Sequence, residues 1–448
     1  MSKLRGPVLF DETGLTREHI KSLRLIIYAI ALGTVCFNIT GGIAMTGYLK
    51  ALGTSDFVFG ILISVPPAAG TLQIFTSYVL ERTKKRRAMF IVGGLVQRLL
   101  WLPFGLVPFF VPMSAPLVRI WSAALLLLIA SVSNQFISIA YSSLLADIIP
   151  IGIRGRYLGT RGRVSTVMGI IGGFLTAWLL ERFPGFNGYA LVFGLAALLG
   201  STDITLFFWI DFPPMTETVQ RDSFWHMFRE VLKSKQVLGL MAFFTIWNFT
   251  FNLSAPFHLV YIRINLGMSN TAITLIAQIL PNICTVIILS RWGRMIDRHG
   301  IRPVILRVGR YTSIVYLLWV FVAPGMLSYV LVIVAYIARG LLFCGMEISG
   351  QTAVLNRFPE RNRSMYMAIH HCVTTLMGTA LANITGGWLL DNPLAALEGM
   401  NLSLFGFVLN RYNYLFLLTF ILCVISAFVL LPRMVAPGDA PPAEGGAS

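Results

Sequence analysis

The sequence predicts an all-α membrane protein with twelve transmembrane helices, arranged as two six-helix bundles related by a pseudo-twofold axis. Three observations lead to this prediction. First, 56% of the residues are hydrophobic and only 12% are charged, whereas charged residues make up about 25% of an average soluble domain. Second, the chain contains twelve long apolar stretches. Third, its second half repeats its first.

The twelve apolar stretches are each about 20 residues long, which is enough to cross the hydrocarbon of a bilayer as a helix. A helix suits this environment because it satisfies its own backbone polar groups. The predicted spans are 25–49, 57–80, 88–111, 118–146, 163–182, 189–211, 237–262, 270–291, 304–323, 328–355, 365–390 and 411–431. Residues 1–23 are polar, so we expect no cleavable signal peptide.

The net charge of +16 follows membrane topology rather than nucleic-acid binding. With the N-terminus inside, few of the 35 lysines and arginines lie on the outer side, namely Lys50, Arg119, Arg182, Arg263 and Arg411. This distribution obeys the positive-inside rule. We therefore expect a multi-pass protein of the plasma membrane or bacterial inner membrane, with both termini cytoplasmic, in contact with the lipid bilayer and not with nucleic acid.

The cysteines and the remaining motifs argue against a metal site or an enzyme. All five cysteines lie in apolar spans without a CxxC pair or a histidine cluster: Cys36, Cys284, Cys344, Cys372 and Cys423. This pattern favours neither a disulfide framework nor a metal site. The sequence has no nucleophile–base pair, nucleotide-binding loop or cofactor motif. We therefore predict that the chain is not an enzyme, uses no cofactor and is not an ATP-driven pump.

The internal repeat has a nearly constant offset of about 210 residues. The segment Phe37–Thr40 corresponds to Phe251–Ser254, and Pro67 corresponds to Pro281. An ordered series of such matches indicates a duplicated six-helix unit. The predicted organisation is a cytoplasmic N-terminal segment (1–23), an N-terminal bundle (24–211), a linker (212–236), a C-terminal bundle (237–432) and a disordered cytoplasmic tail (433–448).

The stretch Gly293–Pro303 reads Gly-Arg-Met-Ile-Asp-Arg-His-Gly-Ile-Arg-Pro between two apolar spans. Its pattern G-x-x-x-D-R-x-G-x-R resembles the signature loop that joins the second and third helices in each half of the major facilitator superfamily. The resemblance covers essentially residues 20–432. The first copy, Glu81–Arg87, has Glu for Asp and no flanking glycines. Met168–Gly173 lacks the proline of the drug–proton antiporter motif, so no subfamily is assigned.

This resemblance implies a secondary transporter whose first, fourth, seventh and tenth helices line a central cavity, with the site between two repeats. Asn38 and Asn252 are duplicates on the first and seventh helices. The candidate substrate-binding residues are Thr34, Asn38, Asn134, Gln135, Asn248, Asn252, Gln278, Asn282, Arg339 and Glu347. For the amides, ties between helices are the equally weighted alternative.

Four charged residues lie deep within predicted spans, away from the span ends, and each requires a partner or a wet cavity there. Glu347 is the candidate proton carrier, and Arg339, on the same helix, could hold an anionic substrate group. A structural pair, or two separate ties between helices, is the alternative for these two residues. Arg98 and Asp203 predict a buried ion pair, with a proton relay as the alternative. The candidates for proton coupling are Glu347, Asp203 and His370.

Charged residues at the cytoplasmic helix ends are candidates for a gate that closes the inner mouth. They are Glu81, Arg82, Asp147, Arg156, Asp297, Arg298, Arg302 and Arg363. The alternative is that these charges only set topology. Within the linker, Phe224, Trp225, Phe228, Val231 and Leu232 recur at helical spacing. This spacing predicts an amphipathic helix, which lies on the membrane interface or packs as a soluble helix on the bundle.

These features together predict a secondary active transporter that moves a small organic solute by alternating access, coupled to protons. We expect a monomer whose partners are the solute, the coupling proton and lipid. Two alternatives belong to other classes. A transport-inactive sensor or membrane-protein assembly factor would exchange no solute, and an amphiphile or lipid flippase would need a lateral opening lined by apolar residues.

Overall fold

The computed structural model describes residues 16–215, 235–358, 363–400, 403–404 and 407–434. In the first half of the chain, the α-helices are α1 (Arg17–Thr40), α2 (Gly42–Ala51), α3 (Asp56–Ala69), α4 (Gln73–Thr83), α5 (Arg86–Leu99), α6 (Trp101–Phe110), α7 (Pro116–Ile148), α8 (Arg154–Arg182) and α9 (Phe186–Leu206). Short 3-10 turns lie at Gly70–Leu72, Ile151–Ile153 and Phe207–Trp209.

The second half continues with α10 (Lys235–Asn252), α11 (Ala255–Ile264), α12 (Asn270–Ile273), α13 (Leu280–His299), α14 (Ile301–Val320), α15 (Met326–Arg357), α16 (Arg363–Val373), α17 (Leu381–Asp391), α18 (Pro393–Glu398), α19 (Arg411–Ile425) and α20 (Leu431–Met434). Three π-helical segments occur here, at Thr274–Ile279, Thr374–Ala380 and Ser426–Leu430. Strands β1 (Ser403–Leu404) and β2 (Phe407–Val408) pair antiparallel.

Among the described residues, ten helical segments are long and apolar enough to cross a membrane. The other two predicted spans are also helical, as α14 and as the continuous run of α16, its π segment and α17. They are less apolar, since α14 carries three arginines in its first half. The described helices therefore confirm the predicted all-α membrane protein with twelve helical passages.

Several helices begin at side-chain caps, which satisfy backbone N–H groups that a first turn leaves unpaired. The hydroxyl of Ser55 accepts a hydrogen bond from the N–H of Val58 at the start of α3. At the start of α19, Asn410 and Asn413 form a reciprocal capping box.

The chain forms two compact units, one of Met1–Gly53 with Leu72–Val219 and the other of Thr54–Thr71 with Gln220–Ser448. The second unit thus contains α3, which the sequence analysis placed in the N-terminal bundle. Glycines explain this packing. A Cβ on Gly60 would lie 2.4 Å from the carbonyl oxygen of Asn383, and one on Gly387 would lie 2.2 Å from that of Asp56. The backbones of α3 and α17 therefore approach at distances that only glycine permits.

Each unit has its own apolar core. In the first unit the buried cluster includes Leu23, Ile26, Phe90, Ala140, Tyr157 and Phe207. In the second it includes Phe243, Trp247, Trp292, Val308, Phe358 and Leu431. Three predicted features lie wholly or partly outside the described residues. They are the amphipathic helix within the linker 212–236, the N-terminal segment as far as residue 15, and the tail from residue 435.

Candidate functional site

A cavity of about 700 Å³ lies within the second unit. Its walls come from α10, α15, α16 and the π segment after α16. Aromatic rings on these walls belong to Phe244, Trp247, Phe251 and Phe343. The polar groups belong to Asn248, Asn252, Glu347, Gln351, His370, His371 and Thr379. Cavities of this volume accommodate small organic ligands.

Helix α10 presents one face to the cavity, since Phe244, Asn248 and Phe251 follow the spacing of residues that share a helix face. The amide nitrogen of Asn248 donates to the carbonyl of Phe244 at 2.8 Å. That of Asn252 donates to the carbonyl of Asn248 at 2.8 Å and to the hydroxyl of Thr379 at 3.4 Å. Because a carbonyl oxygen can only accept, these bonds identify the nitrogen of each amide. Both side-chain oxygens therefore remain as acceptors.

Glu347 lies on α15 with an exposed side chain that lines the cavity. Phe343 and Gln351, four residues before and after it, line the same wall. Gly350 allows α15 to approach α10, since a Cβ there would lie 2.8 Å from the ring of Phe244. Among the described residues, no lysine, arginine or histidine forms an ion pair with Glu347.

Arg339, which the sequence analysis placed beside Glu347 as a cavity residue, does not line this cavity. Its guanidinium lies over three aromatic rings, 5.8 Å from the centroid of Phe251, 5.9 Å from that of Tyr336 and 5.7 Å from that of Phe343. Phe251 and Phe343 also line the cavity. The two rings therefore lie between the cavity and the arginine.

A second, much smaller void of about 10 Å³ lies on the Arg339 side of Phe251. Its lining includes buried His258, whose ring stacks on Trp319 with centroids 4.0 Å apart. The Nε2 of His258 has no hydrogen-bond partner among the described residues. A void of this size holds at most about one water molecule.

The two histidines of α16 occupy the cavity wall. The ring of His370 meets those of Phe244 and Phe358 edge to face, each at 5.7 Å. The structure therefore brings together four of the predicted site residues, Asn248, Asn252, Glu347 and His370. Gln351, His371 and the aromatic rings were not among the predicted site residues. Helical spacing could have indicated Phe343 and Gln351, four residues from Glu347, and Phe244 and Phe251, four and three residues from Asn248.

Two predicted cavity residues of the first unit, Thr34 and Asn38, lie at the contact between α1 and α8. Thr34 and Ser165 share a hydrogen bond of 2.9 Å between α1 and α8. The amide nitrogen of Asn38 donates to the carbonyl of Thr34 at 2.9 Å, and Gly169 and Gly172 of α8 pack against this asparagine. These contacts match the alternative role, in which polar side chains tie helices together.

The amides of the fourth and eighth predicted spans also lie outside the 700 Å³ cavity, and one of them joins two helices. Gln135 is buried and accepts from the amide of Gln73 at 3.1 Å, joining α7 to α4. Its neighbour Asn134 is exposed. Gln278 lies in the π segment before α13, and Asn282 is exposed on α13. Neither Gln278 nor Asn282 lines the 700 Å³ cavity.

The predicted gate residue Asp147 forms an ion pair with Arg86, a residue that was not among the predicted site residues. Arg86 is buried and also donates to the hydroxyl of Ser143 and the carbonyl of Pro213. Both partners lie in the first unit, so this pair is internal to it.

Most other gate candidates are exposed, namely Glu81, Arg82, Arg156, Asp297 and Arg298. Arg82 donates to the hydroxyl of Tyr78 at 3.4 Å. Arg302 donates to the carbonyl of Pro432 at 3.4 Å. The side chain of Arg363 lies outside the described part of the chain.

A charged cluster joins α3, α17 and α19 on the predicted outer side. Arg411 lies 3.2 Å from a carboxylate oxygen of Asp56 and 3.7 Å from one of Asp391. The hydroxyl of Tyr412 donates to Asp56. Asp391 accepts from the backbone N–H groups of Asp56 and Phe57 at 3.2 and 2.7 Å, where the helix dipole favours a carboxylate. Sequence reasoning read Arg411 only as a topological charge and missed this cluster.

Comparisons with known proteins agree with this architecture. The family model of the Major Facilitator Superfamily matches residues 249–447. No curated protein matches the sequence significantly. A crystal structure of the nucleoside transporter NupG is 15% identical with a TM-score of 0.66, over 94% of this chain and 99% of that chain.

Two further solved structures are similar. A bacterial homolog of the human lysosomal transporter Spinster, inward-facing and occupied, is 13% identical with a TM-score of 0.69, over 94% of this chain and 98% of that chain. A D-xylose–proton symporter is 12% identical with a TM-score of 0.66, over 93% of this chain and 98% of that chain. At these identities the likeness shows the fold. Residues 249–447 thus match the Major Facilitator Superfamily model, and the chain as a whole shares its fold with these solved membrane transporters.

Proposed function

We propose that the protein is a secondary active transporter that moves a small organic solute by alternating access, with Glu347 as the proton carrier. One observation carries the proposal. A carboxylate without an ion-pair partner among the described residues is exposed to a cavity of about 700 Å³, at the depth of a predicted membrane span. Ionisable groups at such depth are costly and usually functional.

The neighbours of Glu347 support this role. An acid that couples proton and solute movement must be reached by solute and proton in turn. Glu347 shares its cavity with Asn248, Asn252 and Gln351, which supply hydrogen bonds for a solute, and with His370, a second group able to take a proton. Arg339 remains a candidate for substrate contact only if the rings of Phe251 and Phe343 move aside.

The surroundings of the transporter are part of the proposal. The distribution of basic residues supports a plasma membrane or bacterial inner membrane, with both termini in the cytoplasm. Protein monomers would then work in lipid with a small-molecule solute and protons as partners. The exposed charges Asp297 and Arg298 are candidates for pairs that form only when the cytoplasmic mouth closes.

The test begins with purified protein and a metabolite mixture, in which a bound solute raises the thermal unfolding temperature. The solute found is then used in proteoliposomes with an imposed proton gradient. We expect Glu347→Gln to abolish uphill accumulation while solute counterflow continues. Glu18→Gln, the same chemical change at an exposed acid near the start of α1, should accumulate solute normally.

The contrary outcomes are equally specific. Full uphill accumulation by Glu347→Gln would reject the proton-carrier role. A wild-type protein that exchanges no solute under any gradient, and that co-purifies with another membrane protein, would instead support the sensor or assembly-factor alternative.

A further inference from the structure

We infer that the cavity in the second unit selects a solute carrying a protonated primary amine next to an aromatic or other flat apolar group. The inference rests on the proposed transport function and specifies the substrate class of the same cavity. Charge, hydrogen bonding and the aromatic lining lead to it separately.

The charge of the cavity lining favours a cationic solute. Among the described residues that line the cavity, Glu347 is the one carboxylic acid, no lysine or arginine is present, and the other titratable groups are the two histidines of α16. The nearest basic side chain by sequence on the same helix, Arg339, contacts the rings of Phe251 and Phe343 and does not line the cavity. With neutral histidines the cavity therefore carries a negative charge, which favours a cation and disfavours a carboxylate.

The hydrogen-bonding groups of α10 and α15 offer acceptors to a ligand. The amide nitrogens of Asn248 and Asn252 donate to carbonyls of their own helix, so these residues offer oxygens to a ligand. The second N–H of the Asn252 amide faces the hydroxyl of Thr379 at 3.4 Å, so both donors of this amide are engaged. Together with the Glu347 carboxylate, the two asparagine oxygens place three acceptor groups on the walls formed by α10 and α15. A primary ammonium group, with three N–H donors and no acceptor, complements such a surface.

The aromatic lining favours a cation that carries a flat apolar group. Phe244, Trp247, Phe251 and Phe343 contribute rings to one cavity. The negative face of an aromatic ring attracts a cation, and ring edges pack against flat apolar groups. The guanidinium of Arg339 on three rings shows the same chemistry on the other side of this wall. A neutral polyol would use these rings only as apolar surface.

The test compares ligands of one shape and different charge, at pH 8 in detergent. The probes are phenylbutylamine, phenylbutanol and phenylbutyrate, with maltose as a neutral polyol, and the readout is the dissociation constant from ligand-dependent thermal stabilisation. We expect the amine to bind at least about tenfold more tightly than the alcohol, and phenylbutyrate to bind more weakly than both. In Glu347→Gln the amine should lose this advantage to within about twofold, while Glu18→Gln should retain it.

The inference is overturned if the alcohol, phenylbutyrate or maltose stabilises the protein as strongly as the amine. It is also overturned if millimolar amine gives no stabilisation, or if Glu347→Gln binds the amine as tightly as the wild type. Uptake assays separate this result from the proposed function. Proton-driven uptake of a polyol or an anion would leave the transporter proposal intact and reject the substrate class. Amine binding without proton-dependent uptake would support the site and reject the coupling.

Discussion

The guanidinium of Arg98 lies 3.2 Å from the carboxylate of Asp203, joining α5 to α9. Both side chains are largely buried, and the same guanidinium contacts the sulfur of Cys36 on α1 at 3.6 Å. Glycines of α1 and α9 make room for the pair, since a Cβ on Gly33 would meet the Asp203 carboxylate and one on Gly200 would meet Arg98. The pair thus occupies the meeting point of three helices.

This geometry predicts that Asp203→Asn lowers stability by about 3–5 kcal/mol, because Arg98 is left buried without its counter-charge. The double variant Arg98→Met with Asp203→Leu should recover much of this loss, since apolar side chains need no partner. Thermal unfolding in detergent measures both. If the pair is structural, the double variant also keeps proton-driven uptake. Loss of coupling in a stable double variant would instead favour the proton relay.

The close approach of α3 and α17 predicts that adding a single methyl group at their contact lowers the stability of the protein. Gly60→Ala and Gly387→Ala should each destabilise the protein by about 1–3 kcal/mol or more, because the added methyl group meets backbone oxygen rather than a movable side chain. Gly239→Ala on α10 is the matched control, since nothing lies within 4 Å of its Cβ position. It should be neutral or stabilise the helix by up to about 1 kcal/mol. Equal melting temperatures for all three would contradict the packing described.

The cluster around Arg411 predicts that the stability of the protein depends on the charges within it. Arg411→Met should destabilise by about 3–5 kcal/mol, because Asp56 is only 1% exposed and loses its guanidinium partner. Tyr412→Phe should cost less, about 1.5–3 kcal/mol, for one hydrogen bond to a carboxylate. Arg182→Met, which removes an exposed arginine from the same predicted side, serves as control. If Arg182→Met lost as much stability as Arg411→Met, the loss would follow from removing any positive charge on this side and not from the contacts of Arg411.

The position of Arg339 over three rings predicts how its removal should act. Arg339→Met should lose about 0.5–2 kcal/mol of stability from the cation–π contacts, with amine binding retained. Arg339→Lys keeps the charge, and its stability should lie between those of the wild type and Arg339→Met. Stability is read from thermal unfolding and binding from the shift with phenylbutylamine. A stable Arg339→Met protein that no longer binds or transports its solute would instead indicate that Arg339 contacts the solute.

Local sequence was sufficient for the parts of the fold that depend on neighbours in the chain. Apolar runs predicted the helical passages, because a helix is the structure that satisfies the backbone within one segment. The resemblance to the major facilitator superfamily, and not helical spacing, placed Asn248 and Glu347 on helices that were expected to line the cavity. Even the tie between Arg98 and Asp203 was foreseeable, since two charges in apolar spans require partners.

Tertiary packing decided which face each helix presents and which side chain meets which. Asp147 pairs with Arg86 and not with another gate residue, Arg339 lies behind Phe251 and Phe343, and α3 packs on α17. These outcomes depend on glycines that allow close approach and on residues far apart in the chain, neither of which has a periodic signal. The sequence by itself determined the number, length and polarity of the helices, because those follow from the cost of exposing backbone and charge to lipid. The structure alone decided the cavity, since its walls come from three helices whose rotations are set by their mutual packing.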